Sequence, residues 1–240
     1  MIKCGKMKNK KKVALITGGS GGIGSNLCKE LSKKKIIVCF TYLKNRKAAK
    51  EIANEINLSG GECYFKKMDM RSLSSIKKNF NYFKKKCKNI DILINNSGIS
   101  QVKEFNKITS PDWDRMLNTN LKGPFFLTKY FLSEKNKKWC RIINISSISG
   151  VKGGKYQAHY ALSKSGIISM TKSLHNLYGR KNFTINALAP GLVNTPMIKK
   201  ELKLIKNKKT KVIEPIKISK LVLSLISENK KNISGKIFFI

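Results

Sequence analysis

Acidic residues are scarce in this chain. Thirteen Asp and Glu stand against 50 Lys and Arg, a formal charge of +37 over 240 residues. A field of that sign favours acidic partners: nucleic acid, phosphorylated ligands, anionic membranes or an acidic protein. No zinc-finger, RNA-recognition or helix-turn-helix pattern accompanies the charge, so no specific nucleic-acid partner is expected. The lysines are spread over the whole length beside many Asn and Ile. That distribution reads as a drift of composition more than as a purpose-built basic patch.

Paired cysteines are also missing. The six stand singly at positions 4, 28, 39, 63, 87 and 140, with no C-x-x-C and no Cys/His cluster. Neither a metal site nor a disulfide framework is expected, and free thiols in a reducing cytoplasm fit best. No apolar run reaches the roughly 18 residues that a membrane-spanning helix needs. The first residues, "MIKCGKMKNKKK", are basic but lack the apolar stretch of a signal peptide. Residues 1–12 therefore read as a flexible basic leader and residues 13–240 as one domain.

What is present is an alternation of short apolar runs with longer amphipathic stretches. Strands are predicted over 13–17, 36–42, 63–69, 91–96, 140–146, 183–190 and 236–240. Helices are predicted over 23–34, 46–57, 72–86, 113–135, 158–178 and 215–227. This order predicts an α/β fold, a doubly wound parallel sheet with helices on both faces. Hydrophobic residues make up 41% of the chain, enough for a substantial core. Residues 197–214 read as a basic amphipathic helix or a mobile flap.

"ITGGSGGIG", 16–24, closes the first strand and opens the first helix. Glycines let the backbone turn tightly and approach a pyrophosphate, which the free N–H groups of a helix N-terminus attract. The spacing is not G-x-G-x-x-G: Gly18 is followed, three residues later, by Gly22-Ile23-Gly24. The second strand ends in "TYLKNRK", 41–47, with no acid to hold a free ribose 2′-hydroxyl. Lys44, Arg46 and Lys47 there suit a 2′-phosphate, which favours NADP(H) over NAD(H). Tyr42 belongs to the same adenosine end.

"SSISGVKGGKYQAHYALSKSG", 146–166, carries the second signal. Tyr160 and Lys164 are four apart and share one helix face. An ammonium beside a phenol favours the phenolate, and such a tyrosine can protonate a developing alkoxide. Tyr156 has Tyr160, not a cation, four residues on. Ser146, Ser147 and Ser149 end a strand, where doubly wound sheets bind ligands. Spacing alone does not choose among these serines.

The chain resembles the short-chain dehydrogenase/reductase family in its single-domain branch. The resemblance runs from about Val13 to Gly235. It rests on "TGGSGGIG" (17–24), "NNSG" (95–98), "NTNLKGPFF" (118–126), "INISSISG" (143–150), "YALSK" (160–164) and "INALAPGLVNTPM" (185–197). It implies a tetrad in which Tyr160 donates the proton, and Lys164 binds the nicotinamide ribose and tunes Tyr160. Asn120 kinks its helix and anchors a water, and Ser147 holds the substrate carbonyl. The family places its serine thirteen residues before the tyrosine, which selects Ser147. Gly18, Ser20, Gly22, Ile23 and Gly24 match the pyrophosphate loop, and Asp69 matches an adenine contact. Asn96 matches the adenosine side; Val193 and Thr195 match the carboxamide region.

The resemblance is strongest to 3-oxoacyl-[acyl-carrier-protein] reductases and acetoacetyl-CoA reductases. It implies reduction of a ketone carried on acidic acyl carrier protein or CoA. A sugar or secondary-metabolite ketone is the other substrate expectation. It further implies a cytoplasmic homo-oligomer, tetramer or dimer. Tyr156 is expected at the entrance of the substrate pocket, and Ser146 and Ser149 in structural roles. Three departures stand out. Gly21 occupies a position where many NADP-dependent relatives carry Arg. Residues between Met197 and Pro215 form a short, Lys-rich stretch, and "SGKIFFI" ends where relatives run into "DGG".

Overall fold

A computed structural model describes residues 11–134, 139–180, 182–198, 211–230 and 232–240. Residues 1–10 of the expected leader and most of the 197–214 stretch lie outside these.

The short apolar runs become strands: β1 (Val13–Ile16), β2 (Ile37–Tyr42), β3 (Cys63–Lys67), β4 (Ile92–Asn95), β5 (Cys140–Ile145), β6 (Phe183–Ala189) and β7 (Ile237–Phe239). All pair in parallel, in the order β3-β2-β1-β4-β5-β6-β7. Strands buried on both faces have no polar face to alternate with, so β1, β4, β5 and β6 are buried at every position.

The helices are α1 (Gly22–Lys33), α2 (Arg46–Leu58), α3 (Leu73–Cys87), α4 (Ser110–Leu117), α5 (Gly123–Leu132), α6 (Ser149–Lys152), α7 (Ala158–Tyr178) and α8 (Pro215–Ile226). Local signals start several of them. Asn45 and Ser72 accept from backbone amides at the N-termini of α2 and α3. Thr109 and Asp112 form a reciprocal capping box on α4.

The helix expected over 113–135 is a correction. Five residues of π-helix, Asn118–Lys122, separate α4 from α5. Such a turn bends a helix and marks functional sites. Within this turn the side chain of Asn120 bonds both the amide and the carbonyl of Ile99.

Two cores form, one on each face of the sheet. Leu27 and Leu31 of α1, Ile52 and Ile56 of α2, and Ile218 and Val222 of α8 pack on one. Ile76, Phe80 and Phe83 of α3 and Leu127 and Phe131 of α5 pack on the other. Phe83 and Phe131 are fully buried, so truncating either to Ala should cost about 3–5 kcal/mol.

The chain winds from β1 out to β3, then crosses back so that β4 joins the other side of β1. Strand order reverses at that point, which opens a crevice at the C-terminal ends of β1 and β4.

Candidate active site

The glycine loop is held by its neighbours. The Gly18 amide donates to Thr41 Oγ1 at 3.2 Å and the Gly19 amide to the Thr41 carbonyl at 2.8 Å. Gly18 has φ +67°, a left-handed conformation that glycine adopts without strain. A Cβ on Gly24 would lie 2.2 Å from the Gly18 carbonyl oxygen, so only glycine permits the approach. Gly21 caps α1 with no side-chain bond, leaving the first-turn amides to whatever occupies the crevice. Ile23 lines that crevice, Gly22 lies against Thr195, and Ser20 is half-buried in the loop.

Asn96 buttresses the loop from β4. Its Nδ2 donates to the carbonyls of Thr17 and Gly18, at 2.9 and 3.2 Å, while its backbone amide donates to Thr17 Oγ1. It also lines the cleft.

Tyr42 is buried against Phe65, and Lys44 and Arg46 are exposed beyond it. Asp69 follows β3, where Arg71 binds its carboxylate through Nε and Nη2. That hydrogen-bonded guanidinium holds the Asp69 carboxyl below the usual carboxylate range. Tyr42, Lys44, Arg46 and Asp69 are not on the cleft wall, and neither are Gly18, Ser20, Gly22, Gly24 and Asn120.

One cleft brings Tyr160, Lys164 and Ser147 together with Ile23, Asn96, Val193 and Thr195. Tyr160 and Lys164 sit one turn apart on α7. Lys164 Nζ lies 5.8 Å from the Tyr160 ring centroid and donates to the Ile145 carbonyl at 2.9 Å. Lys164 is buried, and desolvation lowers its pKa from 10.5 to about 8.

The three serines now separate. Ser146 donates its hydroxyl to the Lys164 carbonyl at 2.7 Å, a structural bond between β5 and α7. Ser147 Oγ accepts from the Ser149 amide at 3.2 Å. Ser149 opens α6 and contributes to the cleft wall.

Asn120 is buried beside the cleft. Its Oδ1 accepts from the Ile99 amide at 2.9 Å. Its Nδ2 lies within bonding distance of the Ile99 carbonyl and Ser163 Oγ. A Cβ at Gly98 would lie 3.3 Å from Lys164 Nζ and 3.4 Å from Asn120 Oδ1. Glycine at 98 thus keeps a small gap between those two atoms.

Tyr156 sits before α7 with φ +60°, half exposed. Its carbonyl accepts from the Lys103 amide at 2.7 Å. Tyr156 is not on the cleft wall itself, while its neighbour Gln157 is.

Several residues escaped the sequence reading. Gly98 and the Ile145 carbonyl act through gap and backbone geometry, and Ser163 through a hydroxyl bonded to distant Asn120, none of which leaves a local pattern. His159, next to Tyr160, is buried with Nε2 2.9 Å from Gln101 Oε1. Gln101 in turn donates to Asp112, which also binds Lys103. The only hint was a lone histidine beside the tyrosine.

A dinucleotide fits this set. The uncapped α1 N-terminus suits its diphosphate, and the buried Lys164 ammonium suits a ribose hydroxyl in the same cleft.

Comparison with known proteins agrees. The profile of the short chain dehydrogenase family matches residues 12–205. A 3-oxoacyl-[acyl-carrier-protein] reductase of Aquifex aeolicus is 35% identical over 95% of both chains. An acetoacetyl-CoA reductase of Shinella zoogloeoides is 32% identical over 93% of this chain and 94% of its own. Among solved structures, an actinorhodin polyketide ketoreductase with NADPH superposes with a TM-score of 0.89 at 25% identity, covering 96% of this chain and 95% of that one. By sequence match and by fold, the chain belongs to the short-chain dehydrogenase/reductase family, oxidoreductases that interconvert alcohols and carbonyls.

Proposed function

We propose that the protein reduces the keto group of a 3-oxoacyl thioester on acyl carrier protein to a hydroxyl, with NADPH as cofactor. The observation that carries this reading is the meeting of Tyr160, Lys164 and Ser147 in one cleft whose other end is the uncapped start of α1. The cofactor, when bound, supplies a hydride.

The chain's own residues do the rest. Ser147 accepts the Ser149 amide on its oxygen, which directs its hydroxyl proton at the substrate carbonyl. Tyr160 gives its phenolic proton to the same carbonyl oxygen. Lys164, anchored on Ile145, holds the ribose with its remaining N–H groups and offsets negative charge on Tyr160. A water in the gap at Gly98 joins Lys164 Nζ to Asn120 Oδ1 and returns a proton to Tyr160 through Lys164.

Gly18, Ser20, Gly22, Ile23 and Gly24 hold the diphosphate, with Asn96 behind them. Asp69 reaches adenine, Val193 and Thr195 face the carboxamide, and Tyr42, Lys44 and Arg46 receive the ribose end. The two exposed cations favour NADP(H) over NAD(H).

The charge of +37 would attract an acidic carrier protein and phosphorylated CoA alike, so it does not choose between them. Exposed Trp113, Phe125 and Leu162, on α4, α5 and α7, support a homo-oligomer, tetramer or dimer.

A panel of 3-oxoacyl thioesters on carrier protein and on CoA, with sugar ketones and both cofactors, tests the reading. Turnover should be fastest on the carrier-protein substrate with NADPH, and should weaken as salt is raised. Preference for acetoacetyl-CoA would favour the second reading, which the Shinella relative suggests. Preference for NADH would overturn the role given to Lys44 and Arg46.

A further inference from the structure

We propose that Cys39 and Cys87 form an oxidisable dithiol, which a hydroperoxide converts to a disulfide tying β2 to the end of α3. The two sulfurs lie 3.4 Å apart, although 48 residues separate them in sequence. A disulfide needs about 2.05 Å, so the pair must close by roughly 1.4 Å.

Accessibility is divided between the two. Cys39 is fully buried in the core between the sheet and α3. Cys87 is half-buried as the last residue of α3, next to exposed Lys84, Lys85, Lys86 and Lys88. Lys88 leaves the helix at φ +64°, and the Asn89 amide turns back to the Cys87 carbonyl at 2.8 Å. Cys87 can therefore shift at a helix end, without breaking the sheet.

The pair is also polarised. The two sulfurs share a hydrogen bond in which either can donate, and that bond holds the Cys87 thiol below its ordinary range; Lys86 adds to this, while partial burial and Glu62 oppose it. The same bond, with burial, pushes the Cys39 thiol up. The helix C-terminus also opposes a thiolate at Cys87, so the lysines and Cys39 must outweigh it.

The steps balance with hydrogen peroxide as oxidant. The Cys87 thiolate attacks one peroxide oxygen, the O–O bond breaks, and the departing hydroxide is protonated to water. Cys87 is then a sulfenic acid. Cys39 sulfur attacks Cys87 Sγ, the S–O bond breaks, and the leaving hydroxide takes the Cys39 proton as a second water. Two thiols lose two electrons, and one peroxide gains them. The bond closes two residues before Thr41, the residue that holds Gly18 and Gly19.

The full chain should be titrated with hydrogen peroxide, alkylated, digested without reductant and mapped by mass spectrometry. The expected result is a linked pair of peptides carrying Cys39 and Cys87, lost on adding dithiothreitol and absent from Cys87→Ser. In Cys39→Ala, Cys87 should accumulate as a sulfenic acid that a cyclic 1,3-dione captures. Two results would overturn the proposal. One is a link from either residue to another cysteine in place of this pair. The other is that both thiols stay alkylatable at peroxide doses that oxidise an exposed control thiol.

Discussion

Lys164 Nζ stands 5.8 Å from the centre of the Tyr160 ring and is tied to the Ile145 carbonyl at 2.9 Å. The cation is thus fixed by the sheet beneath it and cannot drift from the phenol. A buried ammonium satisfied by one backbone carbonyl carries a desolvation cost, which sets its pH behaviour.

Lys164 loses its proton near pH 8 in the folded protein, against 10.5 for a free lysine. Between those values the unfolded chain holds more protons, so this group makes stability rise with pH across that window. Below it the cost of burying the charge is felt in full. Melting curves of ligand-free protein from pH 7 to 10.5 should show this rise, and Lys164→Met should lack it. Activity should run the other way, with kcat/KM for reduction falling above about pH 8 as the cation beside Tyr160 is lost.

His159 gives a second pH effect, at the acid end. It is buried with Nδ1 unpaired among the described residues, and desolvation lowers its pKa below 6.5. The folded form therefore stays neutral where the unfolded chain takes a proton. Stability from this group is present above about pH 6.5 and declines as pH falls toward the lower folded value. His159→Gln should flatten that decline in melting temperature between pH 7 and pH 5.

Much of this was legible beforehand. Parallel strands are buried on both faces, so continuous apolar runs such as "VALI" and "CRIINI" announced them. Tyr160 and Lys164 were legible because four residues is one helical turn. The break at Asn118–Lys122 was implied by the resemblance, which places a kink at Asn120, but periodicity alone ran one helix through it, because the bonds from Asn120 to Ile99 are long-range. The serines could not be separated by spacing, since what separates them is where each hydroxyl points. Gln101 and Asp112 join the network of His159 from segments distant in sequence, so no local pattern revealed them.

Gly98 offers a test of the gap between Lys164 and Asn120. Gly98→Ala places a methyl 3.3 Å from Lys164 Nζ, tight but tolerable for the fold. The variant should melt near the parent temperature while kcat drops by about tenfold or more, because the proton path is displaced. An unchanged kcat would remove the water at Gly98 from the mechanism.

Asn120→Ala should act on both structure and rate. It strips the amide from Ile99 and Ser163 inside a buried site, at a cost of about 1–3 kcal/mol. Urea unfolding measures that loss, and steady-state kinetics should show kcat falling more than KM rises.

The most direct test replaces each tyrosine in turn and follows NADPH oxidation with a 3-oxoacyl thioester. Tyr160→Phe keeps the ring and removes the proton that the cleft positions beside Lys164. It should lower kcat by about a hundredfold or more. Tyr156→Phe, at a half-exposed position outside the cleft wall, should keep most of the rate. Comparable losses in the two variants, or full activity in Tyr160→Phe, would contradict the account.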